Sequence, residues 1–220
     1  MTGEVVLVIL AAGAGRRLGG TAKALLPLGP SRLPVAPDPR PWQAGPPEGP
    51  APEPEVTFLA QLAATAVDAG AGRAVVVVGP PHRAKVSAEA RRLGLEVADN
   101  PQPERGMGSS VAVGFDHAAG RFGAAVAALL WPADHPRVSR VTVARLVDEA
   151  EPDVILVPTW RGRGGHPTAF GRELWADLCG CASLPRGARS LLERRAERVR
   201  RIEVDDPGVV ADVDRPGDLG

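Results

Sequence analysis

Close to its start the sequence reads Leu10-Ala11-Ala12-Gly13-Ala14-Gly15-Arg16-Arg17-Leu18-Gly19, with Lys23 shortly after. Small side chains at positions 11 to 15 let the backbone approach a ligand closely, and glycine supplies the φ values such a loop needs. Successive backbone N–H groups in a loop of this kind cradle phosphate oxygens. Arg16 adds a bidentate fork and Lys23 a compact point charge. The chemistry these residues suit is the binding of a phosphorylated ligand. Neither G-x-x-x-x-G-K-[ST] nor G-x-G-x-x-G stands here, so the loop is neither a P-loop nor a Rossmann fingerprint.

Four further segments carry usable side chains. Asp99 to Ser110 ends in Gly106-Met107-Gly108-Ser109-Ser110. Two serines at a helix start suit an anion or a nucleobase edge at a positive helix terminus, and Ser109 also reads as a simple N-cap. Trp131-Pro132-Ala133-Asp134-His135-Pro136 holds an acidic residue between prolines. Asp134 is a hard oxygen ligand of the kind Mg²⁺ takes, one or two carboxylates completed by phosphate oxygens. His135 has no assigned role. Arg161-Gly162-Arg163-Gly164-Gly165-His166-Pro167 reads as an anion-facing loop, with Arg163 and His166 as candidate acceptor-binding residues. Finally, the alternation in Val210 to Asp214 predicts a terminal strand with Asp212 and Asp214 on one face. One of that pair would join Asp134 as a second carboxylate on the metal.

These loops need a scaffold to bring them together. Val5–Leu10, Ala74–Val78, Leu95–Ala98, Ala125–Leu130 and Val154–Val157 are short apolar runs, the pattern of parallel strands covered on both faces. Helices are expected at Thr57–Ala69 (Thr57 as N-cap), His82–Leu93, Ser109–His117, Ser139–Ala150, Gly171–Leu178 and Gly187–Arg195. Alternating units of this kind predict a doubly wound, mostly parallel α/β sheet in a three-layer α/β/α sandwich, a Rossmann-like architecture. Ligands in such folds collect beyond the carboxyl ends of the strands, where the candidate loops lie. With 220 residues, the chain suits a single domain. Pro30 to Pro54 holds 10 prolines in 25 residues and reads as an insertion over about 30–55 that joins neither sheet nor helix.

Lys plus Arg equals Asp plus Glu at 26 each, so no bulk field favours nucleic acid or a membrane surface. No apolar stretch approaches the ~20 residues of a membrane span. The run Val5 to Ala12 lacks a basic leader, and a cytoplasmic location is expected. Cys179 and Cys181 alone cannot form a four-ligand zinc site and read as thiols in a reducing compartment.

In their order along the chain, the motifs resemble those of the MobA-like NTP transferase superfamily, and most of all its molybdenum cofactor cytidylyltransferase (MocA-like) branch. The resemblance rests on Leu10-Ala11-Ala12-Gly13 with Arg16, Lys23 and Leu26-Pro27-Leu28-Gly29. Gly106-Met107-x-Ser109-Ser110, Pro132-Ala133-Asp134-x-Pro136, Gly165-His166-Pro167 and Asp212-x-Asp214-x-Pro216-x-Asp218-Leu219 extend it. Arg215 stands where the family usually has threonine. The resemblance implies a nucleoside triphosphate held by Leu10, Ala11, Ala12, Gly13, Gly15, Arg16, Lys23, Gly106, Ser109 and Ser110. It implies Mg²⁺ on Asp134 and Asp214, the latter preferred to Asp212, with Arg16, Lys23 and Asp134 carrying the chemistry. The reaction implied is transfer of a nucleoside monophosphate to a phosphorylated acceptor, with pyrophosphate released.

Within the resemblance, alanine in Ala11-Ala12-Gly13 where some relatives have a second glycine implies CTP over GTP, and a methyl at position 12 also narrows the space near the base. The acceptor expected is molybdopterin, with a molybdoenzyme as a possible partner. The alternatives are a molybdenum cofactor guanylyltransferase, a transferase acting on sugar or metabolite phosphates, and a non-catalytic nucleotide-binding or cofactor-delivery protein.

Overall fold

A computed structural model of the chain describes residues 3–28, 56–184 and 186–219. The proline-rich insertion expected at about 30–55 lies outside the described residues.

The first strand, β1 (Val5–Leu10), is buried along its whole length. Its alternate side chains serve two cores. Val5, Leu7 and Ile9 join one, while Val6, Val8 and Leu10 join the other. That division is why an unbroken apolar run was needed. Around β1 the sheet grows through β2 (Ala74–Val78), β3 (Glu96–Asp99), β4 (Ala127–Pro132), β5 (Ile155–Trp160), the two-residue β6 (Arg163–Gly164), β7 (Thr168–Gly171) and β8 (Val199–Glu203). The order is β3-β2-β1-β4-β7-β5, and β5 also pairs with β6 and β8. β1 to β4 run parallel, β7 is antiparallel to both β4 and β5, and β8 is parallel to β5.

Helices cover both faces. Leu59, Leu62 and Ala66 of α1 (Phe58–Asp68), Val86 and Ala90 of α2 (Arg83–Arg92), and Val143 and Leu146 of α4 (Arg140–Asp148) close one core. Val111, Phe115 and Ala118 of α3 (Met107–Arg121) close the other, with Trp175 and Leu178 of α5 (Trp175–Cys179) and Leu191 of α6 (Ala188–Arg194). Local signals set several starts. Thr57 accepts the Ala60 N–H at 3.1 Å to open α1, and Ser139 accepts the Thr142 N–H at 3.2 Å to open α4. The three-layer, mostly parallel sandwich is thus the expected one.

Four details depart from expectation. Strands β3, β4 and β5 start one to two residues later than their apolar runs, because pairing with neighbours, Val5 with Ala127 through Leu10 with Pro132, fixes where each ladder starts. The two-residue β6, β7 and β8 are additional strands. β7 is only four residues, and β8 reads Val-Arg-Arg-Ile-Glu with Ile202 alone fully buried, so neither carries a strong period. α3 opens two residues before Ser109, with Gly106 as its N-cap at φ 99. Val210 to Asp214 is not a strand. Pro207–Val210 form a 3₁₀ turn capped by Asp206, and the Val213 N–H goes to the Asp134 carbonyl rather than to a ladder.

Candidate active site

β1 ends at Leu10, and the Ala11 N–H still bonds the Val77 carbonyl at 2.9 Å, so the phosphate-type loop leaves the sheet from a fixed point. Gly15 has φ 60, and a Cβ there would fall 1.8 Å from the Thr21 carbonyl oxygen. Its own carbonyl accepts from Leu18 and Gly20, which folds residues 15 to 20 into a compact turn. A second short turn, Lys23–Leu25, follows and is anchored by buried Ala22, Ala24 and Leu26.

A cleft of about 240 Å³ opens against this loop, lined by Leu10, Ala11, Ala12, Gly13, Gly15, Lys23, Gly106, Met107, Ser110 and Asp134 among others. A wider recess shares Gly13, Gly15 and Lys23 and adds Arg16, Arg17 and Asp214. Lys23 stands at the meeting of the two. Its Nζ donates to Asp134 Oδ2 at 3.0 Å and to Asp214 Oδ1, and Arg17 Nη1 donates to Asp214 Oδ2 at 2.6 Å. Burial opposes the charged Lys23, yet the hydrogen bonds from its ammonium to Asp214 and Asp134 outweigh burial and hold its pKa above the usual lysine value. The hydrogen bond from Lys23 likewise holds Asp214 below the ordinary carboxylate range, with Arg17 adding to it.

Two supports put Asp214 there, one long-range and one local. The Val213 N–H bonds the Asp134 carbonyl at 2.8 Å. Asp218 accepts the N–H groups of Asp214 and Arg215 at 2.9 and 2.7 Å, closing the turn behind the carboxylate. Asp212 is exposed, so of the two terminal aspartates only Asp214 meets Lys23.

The structure sorts the remaining candidates. Leu10 to Gly13, Gly15, Gly106 and Ser110 line the cleft, and Arg16 lines the wider recess. Ser109 lines neither. Its hydroxyl donates to the Gly106 carbonyl at 2.8 Å and accepts from Asn100 Nδ2 at 2.9 Å, and Asn100 also donates to Ser110 Oγ. Arg163 is exposed on β6 and lines neither recess.

His166 leaves the sheet at a slip in the ladder. Thr159 faces Gly164 but Ile155 faces Phe170, so the second side carries two extra residues. The His166 N–H then bonds the Val209 carbonyl at 2.8 Å, and a Cβ on Gly165 would fall 2.1 Å from that same oxygen. Its ring meets the His135 ring edge-on at 5.0 Å, and the His135 Nε2 lies 3.9 Å from Asp134 Oδ1. Burial, helped by His135, pushes His166 down to about 4, so the ring is neutral near pH 7. Burial also raises both thiols, Cys181 to about 11, which leaves them poor nucleophiles.

Three positioning residues were not singled out from sequence. Arg17 differs from Arg16 only by its tertiary partner. Asn100 and Asp206 sit in turns where Asn and Asp are ordinary, and only their buried contacts reveal them. The donor set suits a hard divalent cation, because carboxylate oxygens of Asp134 and Asp214 converge on one position, where they hold the Lys23 ammonium. Among the described residues no group of three or more His, Cys, Asp or Glu side chains is gathered. An ion here would take its remaining ligands from water and phosphate.

The model of the MobA-like NTP transferase domain matches residues 7–199. The chain belongs to the MobA-like NTP transferase family. It is a nucleotidyltransferase by that membership. It is similar to nicotine blue oxidoreductase of Paenarthrobacter nicotinovorans, 29% identical over 94% of this chain and 90% of that protein. Among solved structures it is similar to Rv0371c of Mycobacterium tuberculosis H37Rv, with TM-score 0.71, 24% identity and coverage of 99% and 96%, a protein also solved in complex with manganese. It is similar too to a nucleotidyl transferase from Methanothermobacter thermautotroptrophicus, with TM-score 0.72, 20% identity and coverage of 98% and 94%. At these identities the structural likeness establishes the fold. No helix among the described residues is long and apolar enough to cross a membrane.

Proposed function

We propose that the protein transfers a cytidylyl group from CTP to a phosphorylated acceptor of the molybdopterin type, releasing pyrophosphate, with Mg²⁺ held by Asp134 and Asp214. The observation that carries this reading is the convergence of those two carboxylates on one cation position at the mouth of the glycine loop. A divalent ion held there would neutralise phosphate oxygens as the bond at the α-phosphorus changes hands.

The chain's own residues do the positioning. Backbone N–H groups of residues 12 to 15 donate to phosphate oxygens, and Arg16 and Lys23 meet the charge that develops on the leaving pyrophosphate. The attacking acceptor oxygen is already anionic, so no general base is needed. Neutral His166 is consistent with that, since it offers no proton-transfer partner of matched pKa at neutral pH. In-line alignment across the cleft supplies the remaining acceleration. Ala12 supports the cytosine base, because a methyl at this cleft-lining position would leave less room for a larger purine.

The oxidoreductase name of the Paenarthrobacter relative gives a second reading, in which the same loop holds a nucleotide-bearing redox cofactor. Hydride transfer has no use for two carboxylates aimed at one cation, and on that ground the transferase reading is preferred. The deciding experiment screens CTP, GTP, ATP and UTP with Mg²⁺ for pyrophosphate release, against molybdopterin and common phosphate-bearing acceptors, with a parallel arm for oxidation of NADH or NADPH. Release with CTP and molybdopterin is expected. Release with GTP alone would overturn the cytidylyl assignment. Nucleotide binding without release for any acceptor would make this chain a binding protein.

A further inference from the structure

One lysine bridges both carboxylates. Lys23 Nζ reaches Asp134 Oδ2 and Asp214 Oδ1 together, and Arg17 holds only the other oxygen of Asp214. The formal charges of these four side chains cancel. A divalent ion bound between the same two oxygens cannot share them with an ammonium group, because two cations within a few ångströms repel strongly in a partly buried site.

Lys23 has somewhere to go. Its side chain lines both the cleft and the wider recess, and its flexible four-carbon stem reorients without moving the backbone. A metal ion arriving alone would strand a Lys23 that is only 20% exposed and whose burial already opposes its charge. A metal ion arriving with a triphosphate gives it a new anionic partner. We propose that Lys23 is the resident counter-ion of Asp134 and Asp214, which metal loading displaces and hands to the nucleotide phosphates, so that metal entry and nucleotide capture are one coupled event. This rests on the reading that Asp134 and Asp214 hold the divalent ion.

The test is Mn²⁺ binding, followed by electron paramagnetic resonance of the free ion, in the nucleotide-free full chain. Lys23→Gln removes the competitor and should bind Mn²⁺ about tenfold more tightly than wild type, toward the lower end of the range for coupled sites. Lys23→Arg should bind no tighter than wild type, since a guanidinium keeps the charge and grips carboxylates bidentately. Adding Asp134→Asn to Lys23→Gln should erase the gain.

Should Lys23→Gln bind Mn²⁺ no tighter than wild type while wild type releases pyrophosphate, the counter-ion proposal is overturned and the transferase reading stands. If the double variant keeps tight binding, the Asp134 and Asp214 assignment is overturned, and the proposal with it. A measurement on unaltered protein covers a variant that folds poorly. Lys23 and Lys85 are the only lysines, so ¹⁵N-lysine labelling gives one side-chain resonance from each. Addition of Mg²⁺ with CTP should shift the Lys23 Nζ resonance and leave Lys85 in place, and an unmoved Lys23 overturns the proposal.

Discussion

The N–H of Val213 donates to the carbonyl oxygen of Asp134 at 2.8 Å. This single backbone bond joins a loop after β4 to the chain's last irregular segment. It leaves the next side chain, Asp214, beside the Asp134 carboxylate, and buries Val213 on the opposite side. The site's second carboxylate is therefore delivered by backbone pairing between loops and not by a strand.

Loss of either carboxylate should cost transition-state stabilisation more than folding. Asp134→Ala and Asp214→Asn are expected to lower kcat/KM for pyrophosphate release by about 10²–10³, the range for removing one electrostatic contact to developing charge. Steady-state kinetics at saturating Mg²⁺ checks this, alongside the melting temperature. Turnover by Asp134→Ala at the wild-type rate would remove it from the metal site.

Asp206 should support the site from outside it. Its buried carboxylate accepts from the Ser139 N–H at 2.9 Å, the Thr142 hydroxyl at 2.7 Å and the Gly208 N–H at 2.9 Å. Asp206→Ala leaves those donors without a partner and should destabilise the protein by about 2–4 kcal/mol. Urea unfolding reads that loss. Because the turn it caps leads to Asp214, the folded variant should also bind Mn²⁺ more weakly. Unchanged stability would mean that solvent replaces the carboxylate without cost.

His166 gives a pH signature whose sign is fixed. Its pKa falls from 6.5 to about 4 on folding. Below pH 6.5 the unfolded chain takes up a proton that the folded chain refuses, so stability falls as pH drops from about 6.5 to about 4 and levels off beneath. At 1.36 kcal/mol per pH unit the loss is about 3 kcal/mol by pH 4. His166→Phe should lack this component. The difference between urea-unfolding curves of the two proteins at pH 7 and pH 4.5 measures it, and parallel curves would show that His166 titrates normally.

Ala12→Gly tests the base wall. Removing the methyl should raise the GTP to CTP ratio of kcat/KM by about tenfold, the effect of one methyl-sized change in a binding pocket. Competition between the two triphosphates in one reaction reads the ratio directly. A ratio that stays constant would place the base elsewhere in the cleft.

Much of the scaffold was legible because parallel strands buried on both faces must be continuously apolar, and β1, β2 and β4 are. The glycine loop was legible for a similar reason, since close backbone approach and positive φ at Gly15 restrict the residue types that fit. β7 and β8 were not legible. A four-residue strand, and an edge strand with one buried side chain, carry almost no period, and their pairing energy comes from β4 and β5.

By itself, the sequence determined which residue types were available to bind phosphate and metal, and on which loops they stood. Those properties are local, set by side-chain chemistry and by the backbone freedom of short segments. The resemblance already preferred Asp214 to Asp212, but only the tertiary structure brought Asp214 and Asp134 onto one lysine, set Arg17 rather than Arg16 behind it, and turned Ser109 inward to Asn100. The two contacts to Asp214 join segments far apart in the chain, and the Ser109 contact to Asn100 depends on how its loop folds back, so no local pattern encodes their geometry.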